Sequence, residues 1–143
     1  MRPVIRCGLV ALCALVVTGV SAFGETVGPE IGNFTIEPRV AWSNVPVRIR
    51  FEFRGAEGGL RTALLVAKPD GGTWRTSVFE EDVNKAIAAF GPASEGVIEA
   101  SSQHQGGYSA RQRGTTNLYE LRVTDRAGRN SNALHVALEV RPP

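Results

Sequence analysis

The chain has 143 residues, 43% of them hydrophobic and 21% charged, a composition typical of one packed globular domain. The formal net charge is only +2, which gives no general electrostatic case for binding nucleic acid. Both cysteines lie near the N-terminus, so the composition also excludes a disulfide-rich scaffold.

Residues 1–22 have the features of a secretory signal peptide. Arg2 and Arg6 form a short positive region, residues 9–17 are an apolar run, and small residues at 20–22 match the pattern before a cleavage site. We predict cleavage after residue 22. The alternative is an uncleaved membrane anchor, but the apolar run is shorter than the ~20 residues that span a bilayer.

Cleavage at this point would change the composition of the working protein. It removes Cys7, Cys13 and two arginines, and it leaves 14 basic and 14 acidic residues. The mature chain is then a cysteine-free protein in the periplasm or outside the cell, with no stable membrane insertion. We expect a flexible lead over residues 23–32 and one domain over residues 33–143.

Alternation of apolar and polar residues predicts several strands. Residues 33–40 read as an edge strand, because Pro38 cannot donate a hydrogen bond to a neighbouring strand. Residues 45–54 alternate strongly. Residues 60–68 are apolar on both faces, which favours a central, well-covered strand, and residues 73–78 follow after a hairpin turn.

Residues 79–90 break the strand pattern and predict a helix. The apolar residues Phe79, Val83, Ile87 and Phe90 fall on one helical face, and Gly91-Pro92 stops the helix. Ser77 and Glu80 have capping-box spacing. The alternative is that the preceding strand continues through residue 79.

The C-terminal part of the domain contains the clearest structural signal. Short strands are predicted at 96–100 and 108–113, and residues 116–140 alternate as two strands of a hairpin. The turn has Asp125 at its first position and Gly128 at its fourth, as a type I turn with a bulge requires.

Two stretches resemble exported bacterial immunoglobulin-like or fibronectin-type-III-like modules. The first is Gly71-Gly72-Thr73-Trp74. The second consists of Gly107-Tyr108-Ser109-Ala110, then Gly114-Thr115-Thr116, then Tyr119-x-Leu121-x-Val123-Thr124-Asp125-x-Ala127-Gly128-x-x-Ser131-Asn132. The resemblance implies a tyrosine corner at Tyr119. The expected fold is an all-β, antiparallel immunoglobulin-like sandwich of about seven strands with a short inserted helix near residues 79–90. Modules of this type are commonly non-catalytic.

A search for reactive groups identifies no site of catalysis. His104 and His135 lack zinc-ligand spacing, and the turns already explain Asp70 and Asp125. No serine lies in a nucleophile-elbow motif. We therefore predict neither an enzyme nor a cofactor or metal site.

Sandwich topology predicts one cluster of cations. The loop after the second strand and the final hairpin loop lie at the same end of such a fold, which gathers four arginines: Arg54, Arg61, Arg126 and Arg129. Guanidinium groups match planar oxyanions, so the cluster could bind an acidic glycan, a carboxylate or another exported protein. The alternative is that these arginines pair within the chain, with Glu80, Glu81 and Asp82.

Two classes of function follow from the sequence. The first is a non-catalytic exported binding or assembly module. The second is a small exported inhibitor or regulator of an enzyme such as a protease, although residues 114–117 do not match the loops of immunoglobulin-like protease inhibitors.

Overall fold

The computed structural model describes residues 27–42, 46–102 and 115–141, which form eight strands and one helix. In chain order they are β1 (Glu30–Glu37), β2 (Val40–Trp42), β3 (Val47–Arg54), β4 (Leu60–Pro69), β5 (Arg75–Thr76), α1 (Glu80–Phe90), β6 (Gly96–Ser102), β7 (Thr115–Asp125) and β8 (Leu134–Arg141). The predicted signal peptide, His104 and the predicted strand at 108–113 lie outside the described residues.

The strands form two sheets, a three-stranded sheet with the order β1-β3-β6 and a five-stranded sheet with the order β2-β8-β7-β4-β5. The helix α1 occupies the chain between β5 and β6. The predicted all-β sandwich with an inserted helix is therefore confirmed.

The first strand differs from its prediction in two respects. It begins at Glu30, so residues 30–32 belong to a sheet rather than to a lead. After Glu37 the chain crosses to the other sheet, where β2 pairs with β8 in parallel and the Glu139 amide donates to the Arg39 carbonyl at 2.9 Å. The sandwich is thus not wholly antiparallel, because β2 runs parallel to β8.

Period-two alternation places the core as expected. Strand β3 buries Val47, Ile49, Phe51 and Phe53 between the sheets, and β7 buries its own inward row. Tyr119 is fully buried in that row and stacks on Phe79 from the start of the helix, with ring centroids 5.7 Å apart. The hairpin prediction is confirmed.

Helix α1 closes one side of the sandwich by satisfying the edge of β4. The Asn84 side chain accepts from the Ala63 amide at 2.8 Å and donates to the Ala63 carbonyl at 3.1 Å. The Glu80 carboxylate accepts from the Leu65 amide at 3.0 Å. These side chains take the place of a neighbouring strand along the part of β4 that the two-residue β5 does not reach. An exposed strand edge can pair with other chains, and the helix prevents this at β4.

The beginning of α1 corrects the predicted capping box. Ser77 accepts from the Phe79 amide instead, and no side chain caps the helix. The Glu80 carboxylate accepts from the Leu65 amide at the β4 edge, so it does not form the capping-box bond to the preceding turn. Val83 and Ile87 are buried as predicted, whereas Phe90 is exposed over part of its ring. Within the described residues, no helix has the length and apolar character needed to cross a bilayer.

Candidate binding surfaces

The loops after β3 and β7 meet at one end of the sandwich, as predicted for the arginine cluster. Arg126 donates its amide to the Gly59 carbonyl at 3.0 Å. Asp125 lies between the loops with no exposed surface, and its carboxylate accepts from the amides of Glu57 at 3.1 Å and Arg129 at 2.9 Å. Gly128 adopts φ 83° and closes the hairpin turn, as the sequence indicates.

Arg129 joins three segments of the chain through its guanidinium, which binds this carboxylate and two backbone carbonyls. Its guanidinium contacts Asp125 through Nε at 3.0 Å and Nη2 at 2.9 Å. It also donates to the carbonyls of Val27 at 2.7 Å and Gly55 at 3.1 Å. We call the pair Asp125 and Arg129 the clasp, because it ties the residues before β1 and the β3–β4 loop to the final hairpin.

The pKa of Asp125 reflects these bonds. Burial raises the pKa, but the hydrogen bonds from the Arg129 and Glu57 amides and from the Arg129 guanidinium together outweigh it and hold the pKa below its usual value. The sequence explains Asp125 by turn chemistry alone, and that explanation misses its contacts with the β3–β4 loop.

We expect the clasp to make the free energy of unfolding depend on pH in the acid range. A carboxyl with a lowered folded-state pKa contributes stability that is complete above its ordinary pKa of about 4 and is lost as pH falls through its folded pKa. Urea unfolding between pH 7 and pH 2 should therefore show a steeper acid loss for the wild type than for Asp125→Asn. Parallel acid limbs for the two proteins would contradict this.

The four arginines of the predicted cluster divide into two pairs. Arg129 is held in the clasp, and Arg54 pairs with Glu30 at 2.8 Å. Arg61 and Arg126 are exposed, and no hydrogen bond or ion pair from either side chain is found among the described residues. The structure therefore brings the four to one end of the fold, with only two of them open to a ligand.

The predicted pairing with the acidic start of the helix is wrong for Arg129 and Arg54. The carboxylates that contact these arginines belong to Asp125, Glu57 and Glu30. Helix α1 begins beside Leu65 and runs back along β4 toward the loop end. The acidic residues 80–82 at the start of the helix therefore lie about 17 Å along the strand from the loop end. The helix ends, rather than starts, near the arginines.

A second surface is the outward side of the five-stranded sheet, which we call the outer face. Its members come from β4, β7 and β8 and include Leu64, Val66, Lys68, Leu118, Glu120, Arg122, His135 and Glu139. Leu64 is 52% exposed and Leu118 is 38% exposed. The prediction that residues 60–68 form a central, well-covered strand is thus wrong in part: β4 lies between β7 and the two-residue β5, and Leu64 on its outward side is exposed.

Three polar residues of the outer face form one network. Glu120 accepts from Arg122 at 2.9 Å, and its other oxygen lies 3.0 Å from Nε2 of His135 on the neighbouring strand. The hydrogen bond from His135 lowers the pKa of Glu120; burial opposes it, and Arg122 adds to it. The predicted place of His135 on the polar side of its strand is confirmed.

The opposite side of the sandwich has a different character. On the outward side of the three-stranded sheet, Arg50 lies 3.3 Å from Glu52 of its own strand and 3.5 Å from Glu99 of the neighbouring β6. The charged residues here are solvated and paired with one another. Among the described residues no group of three or more His, Cys, Asp or Glu side chains is placed to hold a metal ion.

Comparisons with known proteins give a distant likeness of fold. No protein-family model matches the sequence, and no curated protein matches it. Two solved structures of the SrpA adhesin from Streptococcus sanguinis are similar to this chain. The first, a point mutant, has 12% identity and a TM-score of 0.43 over 80% of this chain. The second has 15% identity and a TM-score of 0.41 over 82%. This chain spans 58% of each adhesin chain, less than two thirds of its length.

Proposed function

We propose that this chain is an exported, non-catalytic binding module that contacts another protein through the outer face. The observation that carries the proposal is the exposure of Leu64 and Leu118, which flank the half-buried Val66 on a sheet face whose charged members are solvated. An antiparallel sheet with one solvated face normally alternates cleanly between apolar and polar residues. Apolar residues that gather on the solvated side, with a polar rim, mark interaction surfaces.

The charges of the outer face define the chemistry of the partner. Arg122 balances the Glu120 carboxylate, and Lys68 on β4 and Glu139 on β8 carry opposite charges. Arg61 and Arg126 add two exposed cations at one end of the five-stranded sheet. The matching surface is an apolar patch bordered by carboxylates. The apolar centre favours a protein over an acidic glycan, because a glycan would bury little apolar surface against leucine.

Site-specific photo-crosslinking in the organism that produces the protein tests the proposal. A benzoylphenylalanine at position 118 lies on the outer face, and the same residue at position 48 lies on the opposite sheet, so it is the matched control. We expect position 118 to form a discrete adduct with another protein and position 48 to form none. No adduct at 118, the same adducts at both positions, or an adduct of two copies of this chain would contradict the proposal.

The identity of the adduct also separates the two classes of function. A structural or surface protein as the partner would support a binding or assembly role. An enzyme whose activity falls when the purified chain is added would favour the inhibitor or regulator instead.

A further inference from the structure

Strand β6 is an edge strand, and the hydrogen-bond partners of its backbone differ from those of β4. It pairs with β3 on one side and forms the border of the three-stranded sheet on the other. At β4, Asn84 and Glu80 of the helix replace the missing neighbour. At β6, no backbone group outside β3 is hydrogen-bonded to the strand within the described ranges. Free amides and carbonyls along an edge are a template for a further strand.

A groove accompanies this edge. It has a volume of about 440 Å³ and lies between the helix and the strand, lined by Ala86, Ala89, Phe90, Val97, Ile98 and Glu99. The volume is within the range of ligand sites in proteins. Two of the three helical residues are alanines, which leave room for a larger side chain. Phe90 packs edge-on against Phe53 with ring centroids 5.4 Å apart and so anchors one end.

The charge on β6 argues against a second copy of this chain as the occupant. Antiparallel pairing of two copies along all seven residues would set Glu99 opposite Glu99 of the second copy. Like charges directly opposite each other destabilise a strand pair. The Glu99 side chain is 58% exposed, and its contact with Arg50 is a single one at 3.5 Å. An added strand with a lysine or arginine opposite Glu99 would give the Glu99 carboxylate a second cationic partner besides Arg50.

We propose that the edge of β6 binds an extended peptide segment of another protein by strand addition. The segment forms main-chain hydrogen bonds with β6, places an apolar side chain in the groove beside Ala89, and sets a lysine or arginine against Glu99. Main-chain bonds of this kind supply affinity, and alternate side chains supply specificity. This surface lies on the other sheet from the outer face, so the two sites stand or fall separately.

Fluorescence anisotropy with synthetic peptides and the purified full chain tests the proposal. The probe is a seven-residue labelled peptide of alternating valine and threonine with a central lysine. We expect it to bind about fivefold more tightly than the same peptide with a central glutamate, and Glu99→Lys to reverse this preference. Two further peptides carry N-methyl groups on one or the other alternate set of amides. Only one of them should lose binding, by more than about tenfold, because one edge of an added strand faces β6.

Two helix variants provide the matched pair. Ala89→Trp fills the groove from an exposed position and should weaken binding at least about tenfold. Ala88→Trp places the same ring on the neighbouring exposed residue, which does not line the groove, and should bind as the wild type does. Equal thermal unfolding of both variants shows that the fold is kept. Absence of binding at millimolar peptide, equal binding of both N-methylated peptides, or no difference between the tryptophan variants would overturn the proposal.

Discussion

Asp125→Ala should lower the free energy of unfolding by about 3 kcal/mol, although the residue lies in a surface turn. The substitution leaves the amides of Glu57 and Arg129 without their acceptor and the Arg129 guanidinium without its charge partner. Arg129→Ala should cost about 2 kcal/mol, because the remaining carboxylate keeps both amide bonds. Urea unfolding at pH 7 measures both values.

Arg126→Ala is the matched control for the clasp. It removes the same side chain three residues away, and that side chain is exposed, so the change should stay within about 0.5 kcal/mol. The double variant of Asp125 and Arg129 should lose at least about 1 kcal/mol less than the two single losses combined, since each single change breaks the same contact. Equal effects of Arg126→Ala and Arg129→Ala would show that the clasp is not what holds the loops together.

Asn84→Ala should cost about 2 kcal/mol, although Asn84 lies on a helix and only part of it is buried. The change removes both hydrogen bonds to Ala63, which is buried in β4, and a third bond from Thr62. It also exposes part of the β4 edge. We therefore expect the variant to self-associate at concentrations where the wild type does not, as measured by light scattering.

Lys85→Ala is the control for Asn84→Ala. Lys85 is the next residue of the helix, and its ion pair with Glu81 is exposed on both sides, so its loss should change stability by no more than about 0.5 kcal/mol. If Asn84→Ala and Lys85→Ala unfold at the same urea concentration, the side-chain bonds at the β4 edge do not stabilise the sandwich.

Local patterns of the sequence predict much of this fold. Alternation in residues 45–54 and 116–140 identifies β3 and the final hairpin, and the apolar spacing of Val83 and Ile87 identifies the helix. These features follow from the periods of strand and helix, which act over a few residues. The turn at Asp125 and Gly128 is equally local.

The roles of particular polar residues could not be predicted in this way. Asp125 meets the Glu57 amide across 68 positions of the chain, and Arg129 reaches the Val27 carbonyl across 102. Asn84 has an unremarkable place in its helix until β4 lies beside it. Such contacts depend on which edges and loops the topology brings together, and turn or helix chemistry already accounts for the same residues locally.

The sequence contains a signal for the outer face, but alternation alone does not show whether that face is covered or exposed. Leu64 lies outward in a strand that is apolar on both sides, and such a strand is equally compatible with cover by another layer or with exposure. The exposure of Leu64 shows that the outward side of β4 is open at this position. Leu118 lies on the same face in the adjacent strand β7, opposite Lys68, so Val66 lies between Leu64 and Leu118 and the three form one apolar surface.

The yield of the adduct at position 118 in a Leu64→Glu background tests the assignment of the outer face most directly. The substitution removes the exposed apolar centre and repels a partner bordered by carboxylates, while Arg48→Glu introduces the same residue on the opposite sheet. We predict that Leu64→Glu lowers the yield at least about tenfold and that Arg48→Glu leaves it at the wild-type value. An unchanged yield with Leu64→Glu, or an equal loss with Arg48→Glu, would contradict this account of how the protein binds.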